Sequence, residues 1–84
     1  MLIESWAYES VISGGEVNDI GQFAQWAVIG GGEFNTNGAI YSAILGGSQN
    51  IIYPTAPYSF IGGGLANQAY GDYYDYGTLV IVGG

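Results

Sequence analysis

A short unit, Gly-Gly-x-x-Asn, occurs four times in this chain and constrains its fold more than any other feature. It reads Gly14-Gly15-Glu16-Val17-Asn18, Gly31-Gly32-Glu33-Phe34-Asn35, Gly46-Gly47-Ser48-Gln49-Asn50 and Gly63-Gly64-Leu65-Ala66-Asn67. A fifth pair, Gly83-Gly84, follows. The first glycines, at 14, 31, 46, 63 and 83, are 17, 15, 17 and 20 residues apart. A period this short is too small for a helical repeat or a propeller blade and fits one rung of a β-solenoid.

The residues before each pair repeat as well. Taken at alternate positions they read small-x-Ile-x-Gly: Ser10, Ile12, Gly14; Ala27, Ile29, Gly31; Ser42, Ile44, Gly46; Ser59, Ile61, Gly63. The last unit has Leu79 in the small position and keeps Ile81 and Gly83. A period of two marks a strand with one repeated face. That face, with Ile12, Ile29, Ile44, Ile61 and Ile81, is expected to fill a narrow core. The opposite face carries Val11, Val28, Ala43, Phe60 and Val80, all apolar but of different sizes. A weaker half-repeat follows each Asn and supplies a second short strand: Asn18-x-Ile20, Asn35-x-Asn37, Asn50-x-Ile52 and Asn67-x-Ala69.

The expectation is therefore an all-β chain, residues 1–84 forming one parallel β-solenoid domain of about five rungs of 15–17 residues. The glycine pairs should turn the corners, where positive φ is required. Asn18, Asn35, Asn50 and Asn67 should stack as a ladder between rungs. Trp26, Tyr41 and Tyr58 each precede their glycine by five residues and should form an aromatic column, with Glu9 in that place in the first rung.

The small-x-Ile-x-Gly strand, followed by G-x-x-N and N-x-A-x-G, resembles the head repeats of trimeric autotransporter adhesins (YadA-like) and similar repeats of phage tail fibres. The stretch from Tyr58 through Gly63 and Asn67 to Gly71 is most similar. The resemblance spans about residues 9–84. It implies a left-handed β-roll, three chains packed side by side, and an extracellular place on a cell surface or virion. Ile20, Asn37 and Ile52 stand where those repeats carry Ala.

Composition narrows the function. Seven acids and no Lys, Arg or His give a net charge of −7. Such a chain cannot neutralise phosphates, so no nucleic-acid partner is expected. No apolar run approaches the roughly 18 residues of a spanning helix, so direct membrane insertion is not expected either. Without Cys, His or Lys, the common nucleophile–base pairs and thiolate or imidazole metal sites are missing. No enzyme, cofactor or metal is expected. Glu16 and Glu33 fall on adjacent rungs, where a cation bridge involving Asp19 competes with two solvated carboxylates. The solvated pair is preferred, because a strong calcium site needs a denser set of oxygens.

Two surfaces remain. The outer apolar residues Val11, Val28, Phe60 and Val80, with the rings of Trp26, Tyr41 and Tyr58, form a candidate assembly interface, since contiguous apolar patches usually mark contacts. Self-association as a homotrimer or an end-to-end filament is expected. The segment Asp72, Tyr73, Tyr74, Asp75 and Tyr76 is a candidate ligand loop, with rings and carboxylates suited to a host-surface glycan. A structural fibre or filament module is the leading reading, and an adhesin using residues 72–77 is the alternative.

Overall fold

The computed structural model describes residues 1–71 and 80–84. All its regular structure is β. Ten two-residue strands follow in order: β1 (Leu2–Ile3), β2 (Val11–Ile12), β3 (Asp19–Ile20), β4 (Val28–Ile29), β5 (Thr36–Asn37), β6 (Ala43–Ile44), β7 (Ile51–Ile52), β8 (Phe60–Ile61), β9 (Gln68–Ala69) and β10 (Val80–Ile81). Odd and even strands form two separate five-stranded parallel sheets, β1-β3-β5-β7-β9 and β10-β8-β6-β4-β2. Each strand pairs with its equivalent one repeat away, Val11 with Val28, Val28 with Ala43, Ala43 with Phe60, and Phe60 with Val80. The chain is thus a β-solenoid of about four turns. A third column of single bridges, Glu16 to Glu33 to Ser48 to Leu65, runs beside the glycine corner.

The period-two pattern explains the core. Ile29, Ile44 and Ile61 point inward and are fully buried, while Ile12 and Ile81 at the two ends are half-buried. Facing them are Ile20, Asn37, Ile52 and Ala69, also fully buried. A third inward row, Ala7, Ala24, Ala39 and Ala56, comes from the connections opposite the glycine corner. Each buried isoleucine contributes roughly 1.5–3 kcal/mol of transfer free energy. The small residues Ala27, Ser42 and Ser59, immediately before β4, β6 and β8, are buried as well.

The corners are built from more than glycine. Only the second glycine of each repeated pair has a strongly positive turn geometry, with φ of 91° at Gly15, 85° at Gly32, 89° at Gly47 and 102° at Gly64. A Cβ at Gly15 would collide with the Gly32 carbonyl oxygen, so both conformation and space demand glycine there. The residue just before each Asn is also left-handed, at Val17, Phe34, Gln49 and Ala66. So are Glu9, Trp26, Tyr41 and Tyr58 at the opposite corner. Such φ values are costly for non-glycine residues. Here cross-rung backbone bonds hold them: Phe34 N–H donates to Glu16 O, and Tyr41 N–H to Gln25 O, both at 3.0 Å.

Candidate functional site

The Asn ladder is the best-defined polar assembly. Asn18, Asn35 and Asn50 are essentially fully buried. Each donates from Nδ2 to the first glycine of its own rung and to the second glycine of the next: Asn35 to Gly31 O at 3.0 Å and Gly47 O at 3.1 Å, Asn50 to Gly46 O at 3.1 Å and Gly64 O at 3.0 Å. Asn18 does the same with Gly14 and Gly32, both at 3.0 Å. Each Oδ1 accepts the backbone N–H of the next Asn, at 3.0 Å for Asn18 to Asn35, 3.0 Å for Asn35 to Asn50 and 2.9 Å for Asn50 to Asn67. Asn67 closes on Gly63 O at 2.9 Å. Buried amides that would otherwise be costly are thus satisfied within the stack. Gly14, Gly31, Gly46 and Gly63 act here as carbonyl acceptors for the ladder; the first three have no positive φ, and Gly63 at 158° is close to extended.

The aromatic column sits at the opposite corner. Trp26 stacks on Tyr41 at 4.7 Å and 8°, and Tyr41 on Tyr58 at 5.1 Å and 4°. Glu9 heads the column and accepts the Trp26 Nε1–H at 3.0 Å. The two stacks cover both faces of Tyr41 and one face each of Trp26 and Tyr58, and so tie three successive rungs together. Trp6 lies outside it and pairs with Phe23 in a second stack, at 6.3 Å and 14°.

The outer apolar row has the expected orientation. Val11 and Val80 are exposed, and Val28, Ala43 and Phe60 are partly so. Leu45, Leu65 and Val82 add further exposed aliphatic surface. Among the described residues the outermost strands are β1 and β2 at one end of the stack and β9 and β10 at the other.

Glu16 and Glu33 are exposed on adjacent rungs. Among the described residues, no group of three His, Cys, Asp or Glu side chains is placed to hold a metal ion. At the first rung the Asp19 carboxylate beside Glu4 pushes the Glu4 carboxyl above its ordinary range, helped by partial loss of water and by a hydrogen bond between the two side chains. Asp19 Oδ1 is enclosed and has no hydrogen-bond partner among the described residues. The candidate ligand loop, Asp72, Tyr73, Tyr74, Asp75 and Tyr76, lies outside the described residues, as does Leu79.

One site residue was not anticipated. Asn37 occupies a core position that holds Ile20, Ile52 or Ala69 in the other rungs. It follows from the third rung's shortness. Connections from an even to an odd strand span six residues every time, whereas those from odd to even strands span seven, seven, five, seven and ten. In the five-residue connection the backbone tightens, and Asn37 Oδ1 accepts from Ala39 N–H at 3.3 Å and from Ser42 Oγ at 2.6 Å. Its Nδ2 donates to Val28 O at 3.2 Å. The signals for this were present in the sequence: a 15-residue interval and a polar residue at an inward position.

No family model matches the chain, and no curated protein or solved structure is significantly similar to it.

Proposed function

We propose that this chain is a non-catalytic structural module that self-assembles through stacked β-rungs, as a fibre or filament element of a cell-surface or virion appendage. The observation that carries this reading is the complementarity of the outermost strand edges at the two ends of the described stack. Along each sheet, amides at the first and third strand positions donate to the following rung, as Leu2 N–H does to Asn18 O at 2.9 Å and Val11 N–H to Ala27 O at 3.0 Å. By the same alternation, the N–H groups of Gln68, Tyr70, Val80 and Val82 face outward at one end. The carbonyls of Ile3, Ser10 and Ile12 face outward at the other. Unpaired edges of this kind are templates for another chain. A second copy stacked in the same direction continues both sheets without changing register. The apolar outer row supplies a second surface, suited to side-by-side packing of copies as a trimer.

Negative-stain microscopy and light scattering across concentration test the reading. Fibres of even width, or discrete three-chain particles, are the expected species. Gln68→Pro removes one outward amide without touching the core; it should shorten or abolish fibres while leaving the circular dichroism of the single chain unchanged. A native chain that stays monomeric at high concentration overturns the proposal.

A further inference from the structure

The short third rung leaves a gap in the wall of the solenoid. In the neighbouring rungs the connection runs Gly21-Gln22-Phe23-Ala24 and Tyr53-Pro54-Thr55-Ala56, each closed by a turn in which the Ala N–H bonds three residues back, at 3.2 Å for Ala24 to Gly21 and 2.9 Å for Ala56 to Tyr53. The third rung passes straight from Gly38 to Ala39. Since Ala24, Ala39 and Ala56 hold the same inward row, the two missing residues are the counterparts of Gln22-Phe23. Their absence opens a slot of about 440 Å³ lined by Gln22, Phe23, Gly38, Ile40, Pro54 and Pro57.

We propose that this slot binds a single planar aromatic ring of a neutral or cationic compound. Thickness is the first argument. Rungs are spaced by about 4.8 Å, so the connections above and below the gap lie about 9.6 Å apart. After each wall's own thickness, the gap accepts one flat ring. The walls are the second. Phe23 has one face on Trp6, and the residue remains 57% exposed, leaving its other face for a stacked guest. Pro54 and Pro57 form the facing wall with few rotatable bonds, so little order is lost on binding. Pro54 is seated on Gly38, where a Cβ would lie 3.1 Å from its Cδ, and this fixes the floor. Polarity is the third. The lining has one side-chain amide, Gln22, and no charge. A sugar would leave most of its hydroxyls unpaired there. An anionic ring would meet a chain of net charge −7 without one Lys or Arg.

The test is a titration of the whole chain with p-cresol, followed by amide NMR shifts, with the capped peptide acetyl-Gly-Tyr-Gly-amide to distinguish a free ring from one borne on a polypeptide. Saturable shifts at Gln22, Gly38 and Ile40 in the millimolar range are expected. Phe23→Ala should weaken binding at least five-fold, with Phe23→Leu intermediate. Inserting Gln-Phe between Gly38 and Ala39 should restore a full-length rung, fill the slot and abolish the shifts. Methyl β-glucoside and benzoate should bind more weakly than p-cresol. Absence of saturable shifts in the native chain, unchanged binding by Phe23→Ala, or tighter binding of the glucoside overturns the proposal.

Discussion

Each rung has two corners, and they tolerate change very differently. The glycine corner spans six residues in every rung, while the opposite corner spans five, seven or ten. The difference lies in what each corner must bond. At the glycine corner one Asn side chain reaches a carbonyl of its own rung, a carbonyl of the next and an amide of the next Asn. Adding or removing a residue there would break bonds in two rungs together. At the opposite corner the cross-rung contacts are ring stacks between Trp26, Tyr41 and Tyr58, isolated backbone bonds, and side-chain bonds of Glu9 and Ser10 that do not recur from rung to rung as the Asn bonds do. A connection can shorten there if one local side chain repairs the loss, which Asn37 does. Length variation, and with it the slot beside Phe23, is confined to the corner that lacks the repeated Asn bonds.

Breaking the glycine corner should have the largest effect. Asn35→Ala takes the side-chain partner from the Gly31 carbonyl and the Asn50 amide and one of two bonds from the Gly47 carbonyl, which keeps the Glu33 N–H, and about 3–5 kcal/mol of stability should be lost in urea denaturation. The opposite corner should yield less. Asn37→Ile leaves the Ala39 amide, the Ser42 hydroxyl and the Val28 carbonyl without that partner, for a loss of about 2–3 kcal/mol. The same substitution should become close to neutral when Gln-Phe is inserted after Gly38. A double-mutant cycle in which the two changes simply add would show that Asn37 is not the repair for the short connection. Tyr41→Ala removes two ring stacks and should cost about 1–3 kcal/mol, measured in the same way.

The smallest effect should come from the end of the stack. Glu4 titrates above its ordinary range because Asp19 is negative, so folding opposes its ionisation. The contribution of its protonated form is complete below the ordinary carboxylate range and is lost as pH rises through the raised value. Glu4→Gln should therefore raise Tm slightly near neutrality, and the gain should vanish in acid. A gain that persists at low pH would assign the effect to something other than the Glu4–Asp19 pair.

The sequence by itself determined the architecture and most of the core. Four registered glycine–Asn units and the small-x-Ile alternation settled the parallel stacking, the inward isoleucines and the Asn ladder, because equivalent residues in a solenoid must occupy equivalent environments. It also placed the aromatic column, by constant spacing from the glycine. Only the tertiary structure decided the rest. Trp26, Phe34 and Tyr41 take left-handed φ values that no local preference of an aromatic residue suggests. Their cost is met by bonds to the adjacent rung, which exist only once that rung is in place. Likewise Asn37 looks like a polar intruder until the shortened connection supplies its partners, and the slot appears only where two longer rungs flank a short one. Repetition can be read along a chain, whereas the consequence of one interrupted repeat depends on what its neighbours in space continue to do.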